Sequence, residues 1–397
     1  MSNRSLPAAL KALRWRHAPS SALAAISSRP QFSTTAACAV RAVFAETDNS
    51  ELNAVLQTIQ EKIILPAYLP EKQRKLVFNP KMRSYLEQNP IVIEVDGLEH
   101  KFSSLDRFKG IENSKRILNQ ALDKMETTGD WSNLGTLLAG YKKAGIKLMA
   151  KHWGRIARVA GTRGHVFAVI ECAKQADKTG LLLTNRELVV RVLAYVNAKI
   201  TESKWDATET KQALCWAEQV LDLLQKPEHM LSTKRARDRL HFSRLVRGLA
   251  LFARASALQV KKDAGEPVEK DVVLLKDELA LLGSLWEGSL EKDLSELEEF
   301  ALLHPTLERN SSPNGTRNPK GLNGSAYVQV LAQNIKGISL ARKLLAEEAK
   351  ILAPVEGALE KHLGDFVKTA HGRSKGWEDV YAEATGKQPS WQSPTQA

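Results

Sequence analysis

The chain has few cysteines, few aromatics and no long apolar run. Only Cys38, Cys172 and Cys215 occur among its 397 residues. That is too few, and too widely spaced, for a disulfide framework or a cysteine metal site. Cys172 and Cys215 fall within apolar helical patterns and read as buried free thiols. Aromatics make up 6% of the residues, thin for a surface that binds nucleic acid chiefly by stacking. No stretch reaches the roughly eighteen uninterrupted apolar residues of a membrane span. Catalytic signatures are missing too: no phosphate-cradling Gly-rich loop, no H-E-x-x-H, no paired C-x-x-C, no G-x-S-x-G. Gly161-Thr162-Arg163-Gly164 lacks the strand that a nucleotide loop requires. His152 and His165 have no partner at metal-ligand spacing. These absences argue against an enzyme, a cofactor, a metal and a small-molecule substrate.

Acid is missing from the beginning of the chain. Residues 1–45 hold no Asp and no Glu, but carry Arg4, Lys11, Arg14, Arg16, Arg29 and Arg41 among many Ser, Thr and Ala. Leu6, Leu10 and Leu13 share one helical face, with Arg4 and Lys11 on the other. A positive amphipathic leader without an apolar core is the signature of a mitochondrial transit peptide. It predicts a matrix protein, and it holds six of the chain's twelve net positive charges.

Beyond the leader the periodicity is helical. Residues 46–110 read as an N-terminal extension: a helix, a basic segment from Glu71 to Arg83, and a β-hairpin. Ile91–Val95 and Leu98–Phe102 flank Asp96-Gly97, and such a pair favours the positive φ of a tight turn. Residues 111–308 read as helical hairpins, with Gly145, Gly161 and Gly180 as helix stops. Residues 309–325 are rich in turn formers and read as a flexible linker. Residues 326–397 read as C-terminal helices and a tail. The fold expected is mostly α, an irregular, solenoid-like array of antiparallel helical hairpins with one small β-hairpin.

Charge is segregated along the chain. The forty residues between Asp130 and Glu171 contain no acid. On one helix, Lys147, Lys151, Arg155 and Arg158 would form a single stripe, with Met149, Trp153, Ile156 and Ala160 facing the core. Residues 234–262 hold nine cations against Asp238 alone. There Arg237, Arg244, Arg247 and Arg254 share one arc, opposite Leu245, Val246, Leu249 and Phe252. Like charges at this spacing repel, so an external polyanion explains them, and arginine's planar fork suits phosphate. Structured RNA is the expected polyanion, bound through counterion release; anionic lipid is the rival. The competing explanation is ordinary solvated surface, or pairing with the acidic block from Asp263 to Glu308.

The run His152-Trp153-Gly154-Arg155-Ile156-Ala157-Arg158-Val159-Ala160-Gly161, continued by Val166–Ala176 and Lys178-Thr179-Gly180-Leu181, resembles a pentatricopeptide-type helical hairpin. Asn133–Gly145 resembles the first helix of another. Gly145 and Gly161 lie too close together for equivalent repeat positions, which weighs against a base-reading code. The resemblance implies RNA binding in an organelle. The chain as a whole also resembles the lineage-specific proteins of fungal mitochondrial ribosomes. The reading is a non-catalytic RNA-binding component of the mitochondrial ribosome, supporting mitochondrial translation. Its partners would be ribosomal or other structured RNA and neighbouring ribosomal proteins, with phosphate contacts from the eight cations named on the two stripes. Two other functions fit the same features: a factor that matures or activates mitochondrial mRNA, and a protein-binding scaffold or assembly factor for a respiratory complex.

Overall fold

The structure is a computed structural model that describes residues 43–95, 97–105, 113–230, 233, 235–305, 322–370 and 376–391. The leader expected at 1–45 lies outside the described residues up to position 42, as does the linker between 309 and 321.

Helix α1 (Ser50–Ile59) starts where the Asn49 side chain accepts the Leu52 amide at 3.0 Å, a polar cap on an otherwise unsatisfied donor. Then come α2 (Glu71–Val77), α3 (Arg83–Gln88) and the hairpin of β1 (Val92–Val95) with β2 (Leu98–Lys101). The strands pair antiparallel from Val92 opposite Lys101 to Val95 opposite Leu98. Gly97, at φ +82, supplies the turn geometry. An isolated hairpin is marginal, and this one sits on a small core of its own, Leu65, Leu69, Val77 and Phe102.

The main body follows as α4 (Ser114–Lys124), α5 (Thr128–Ser132), α6 (Leu134–Lys143), α7 (Ala150–Thr162), α8 (Val166–Lys174) and α9 (Ala176–Thr179). It continues as α10 (Arg186–Glu202), α11 (Ala207–Leu223), α12 (Arg244–Asp263), α13 (Glu269–Trp286) and α14 (Glu298–Leu303), and closes with α15 (Gly324–Leu345), α16 (Ala353–Thr369) and α17 (Trp377–Thr385). The fold is the mostly helical array expected, with a two-stranded hairpin near its beginning. The short connections make α8 antiparallel to α7 and α11 antiparallel to α10.

A continuous hydrophobic core extends from Leu52 to Trp391. At its centre α12 crosses α15. An added Cβ on Gly337 would stand 2.9 Å from the backbone N and Cα of Phe252, so only glycine lets these helices approach so closely. Leu322 is buried and its amide donates to the Leu303 carbonyl at 3.0 Å. The C-terminal helices are thus part of the core, and Trp391 packs edge-on against Tyr381.

Some local expectations change. Gly145 and Gly180 end their helices at positive φ, but Gly161 lies inside α7 and Gly164 is the stop. Tyr195 of α10 lies where a Cβ on Gly161 would be, at 2.2 Å, so that glycine serves a helix crossing. Cys172 is buried as expected, whereas Cys215 is exposed, because its side of α11 faces solvent. Among the described residues, no helix is long and apolar enough to cross a membrane.

A basic cleft as the candidate nucleic-acid interface

The first cationic stripe is only partly a stripe. Helix α7 begins at Ala150, so Lys147 lies in the preceding loop. Met149 sits at the helix cap and is 51% exposed, not in the core. The cap is made by buried His152, whose Nδ1 accepts the Met149 amide at 2.9 Å. Burial, with Lys115 and Lys151 nearby, holds the His152 pKa below the ordinary histidine value. Arg155 leaves the stripe and binds both oxygens of Asp123 at 2.7 Å. Arg163 donates to the Leu122 and Asp123 carbonyls at 2.9 and 2.8 Å, where α4 ends. A cation there complements exposed carbonyls. Lys147, Lys151 and Arg158 are exposed and make no ion pair among the described residues.

The second stripe is largely internal, which corrects the expectation of a solvent-facing arginine arc on α12. Leu245, Val246, Leu249 and Phe252 are buried as expected, but so are Ala250, Leu251, Ala255 and Ala257 around the helix. Helix α13 covers the arginine side and brings acid with it. Glu278, 5% exposed, lies 3.3 Å from Arg247 Nε and 3.7 Å from Arg254 Nε. Glu218 lies 3.0 Å from Arg254. Burial raises the Glu278 pKa, against the pull of both arginines, and lowers that of Arg247. Glu299 accepts the Ser243 hydroxyl and the Arg244 and Leu245 amides, so the N-terminus of α12 is capped by the chain's own carboxylate. Arg244 is tied to the Leu285 carbonyl and the Ser289 hydroxyl at 2.9 and 2.7 Å. The acidic block therefore supplies internal partners for Arg244, Arg247 and Arg254, and their spacing gives no evidence of an external polyanion.

What the fold does bring together is a cleft of about 1490 Å³ where the N-termini of α7, α10 and α12 meet. Lys151, Arg155 and Arg158 come from α7, Arg186 and Arg191 from α10, Arg235, Arg237 and Arg239 from the segment before α12, and Arg244 from α12 itself. Glu187, Asp238, Glu298 and Glu299 are the carboxylates among its lining residues. Positive charge thus exceeds negative by five. Lys147, Arg247 and Arg254 are not part of it. Three of the nine cations have carboxylate partners: Arg155 on Asp123, Arg191 on Glu187, and Arg244 beside Glu299. Arg237 bonds the Ser284 carbonyl. Lys151, Arg158, Arg186, Arg235 and Arg239 make no ion pair among the described residues. Crowding shows at Arg244, whose pKa is lowered by burial and, against Glu299, by Arg237 and Arg186. Such a cleft concentrates positive potential and attracts anions.

Sequence spacing joined neither Arg186 nor Arg239 to the α7 cations. Arg186 follows the Asn185 helix cap, a position that by itself does not point to α7. Only the meeting of the α7, α10 and α12 N-termini makes these residues neighbours. Among the described residues, no group of His, Cys, Asp and Glu is placed to hold a metal.

A family model described as mitochondrial ribosomal protein mS27 matches residues 30–385. A curated relative, small ribosomal subunit protein mS27 of Neurospora crassa, is 32% identical over 194 residues, covering 49% of this chain and 49% of the relative. That alignment spans about half the length of the relative it matches. The resemblance to proteins of fungal mitochondrial ribosomes therefore rests on most of the chain, and the chain belongs to the mitochondrial ribosomal protein mS27 family.

Proposed function

We propose that this chain is a non-catalytic, RNA-binding structural component of the small subunit of the mitochondrial ribosome, supporting translation in the matrix. The observation that carries the RNA contact is the cleft, where Lys151, Arg158, Arg186, Arg235 and Arg239 converge without ion-pair partners among the described residues. Phosphates entering there would release counterions and supply affinity. Lys147, exposed beside the α7 terminus, would extend the contact outside the cleft. Arg155, Arg237 and Arg244 would contribute charge while held in place by Asp123, Ser284 and Glu299. Arg247 and Arg254 hold α12 to α13 and are not assigned to RNA.

Sedimentation of a mitochondrial lysate, with and without ribonuclease, tests the proposal. Comigration with the small subunit, abolished by ribonuclease treatment, is the expected result. A slow, ribonuclease-insensitive species would contradict it and favour a protein scaffold.

A further inference from the structure

We infer that the cleft holds one unpaired RNA strand by its phosphate backbone, without reading base sequence. This rests on the RNA proposal above and narrows it.

Arg186 is the first reason. Its Nε and Nη1 are buried and have no hydrogen-bond partner. A buried guanidinium donor left unpaired is costly, and a phosphate oxygen reaching it satisfies the donor. Arg158, Arg237 and Arg239 line the same cleft, so a chain of phosphates suits it better than a single anion. At about 1490 Å³ it exceeds the roughly 300–1,000 Å³ typical of a small-ligand pocket.

The apolar rim is the second. Met149 is 51% exposed and Leu302 is 54% exposed, both lining the cleft, and half-buried Phe242 lines it too. A duplex turns phosphates outward and stacks its base faces away. An unpaired strand presents both. Arginines interleaved with exposed apolar side chains match the second pattern.

The third is what the amides are doing. Asn185 Oδ1 accepts the Leu188 amide at 3.2 Å, and Asn323 Oδ1 accepts from Arg191 Nη1 at 3.1 Å. Arg191 also donates to Glu187 at 2.9 Å. The Oδ1 acceptors of both cleft asparagines are thus engaged within the protein. With those acceptors taken, the cations and the apolar rim of the cleft favour phosphates and base faces, common to all nucleotides.

The test uses the full-length chain and fluorescence anisotropy with a labelled oligo(U) strand, a mixed-sequence strand of equal length and an RNA duplex, at several salt concentrations, with polyglutamate as competitor. The two strands should bind within about threefold of each other and about tenfold more tightly than the duplex. Arg186→Gln should weaken both strands about tenfold and flatten the salt slope by about 0.7, the share of one neutralised single-strand phosphate, with no fall in melting temperature. Leu302→Ser should weaken them several-fold and leave the slope unchanged. Equal binding of the duplex, a preference above about tenfold between strands, or displacement by polyglutamate as effective as by unlabelled oligo(U) overturns this inference and leaves an RNA role standing. Failure to bind any RNA, duplex included, overturns the RNA proposal itself.

Discussion

Glu278 Oε1 lies 3.3 Å from Arg247 Nε, and the carboxylate is almost wholly enclosed between α12 and α13. Its other oxygen faces Arg254 at 3.7 Å. One buried acid thus serves two half-buried arginines. Removing it strands Arg247 in a low-dielectric contact and leaves Arg254 with Glu218 alone, and breaking a buried pair costs about 3–5 kcal/mol. Glu278→Ala should lower unfolding free energy by about 3 kcal/mol in urea titration. A decrease below about 0.5 kcal/mol would mean the arginines find water instead.

Glycine substitutions should divide by position. Gly337→Ala places a methyl 2.9 Å from the Phe252 backbone, and overpacking of this kind costs about 1–3 kcal/mol. That outweighs the up to about 1 kcal/mol that alanine gains in a helix. Gly357, in α16, has nothing within 4 Å of its added Cβ, so Gly357→Ala should stabilise by up to about 1 kcal/mol. Thermal melts of the two variants should shift in opposite directions.

Acid should weaken the fold. Burial lowers the pKa of His152, His229, His241, His304 and His362. A depressed folded value means the unfolded chain takes up protons first as pH falls. The stability these residues contribute is present above the ordinary histidine value of about 6.5 and is lost as pH drops below it through the depressed values. Each extra proton taken up on unfolding steepens the decline by about 1.4 kcal/mol per pH unit. Glu202 and the buried Glu278, with raised values, work the other way nearer the carboxylate range. Melting temperature should therefore be level from pH 8 to 7 and fall between 6.5 and 5. A level profile across the whole range would show that these histidines accept protons without cost.

Charge reversal should separate RNA-facing cations from scaffold cations. Lys151→Glu with Arg158→Glu alters exposed side chains without ion-pair partners among the described residues. RNA affinity should fall at least tenfold, with melting unchanged. The salt slope should flatten by about 0.7 for each phosphate that is no longer neutralised. Arg254→Glu faces Glu218 and Glu278 and should unfold the chain at lower temperature while the slope per folded molecule stays the same. If Arg254→Glu instead flattened the slope at full stability, the α12 arginines would be RNA contacts after all.

Much of the fold was legible because burial repeats with helical period. Leu245, Val246, Leu249 and Phe252 are all enclosed as their spacing implies, and Gly97 takes the turn expected between β1 and β2. The site was legible only in part. Lys151 and Arg158 are exposed cations, as their places on α7 imply, but Lys147 fell off the helix because the periodic pattern does not mark its first turn. The partners of Arg247 and Arg254 were hidden because Glu278 arrives from another helix, and local spacing does not report which acid folds back onto a basic stripe. Gly161 has the sequence surroundings of a stop because its true reason, the ring of Tyr195, is a tertiary contact. Arg186 carried no local signal at all.

Ultraviolet crosslinking of intact mitochondrial small subunits, followed by identification of the RNA-bound peptides, tests the basic cleft most directly. Crosslinked peptides from this chain should come from the segments around Lys151–Arg158, Arg186 and Arg235–Arg239. Crosslinks confined to α13 and α16, with none in those three segments, would contradict it.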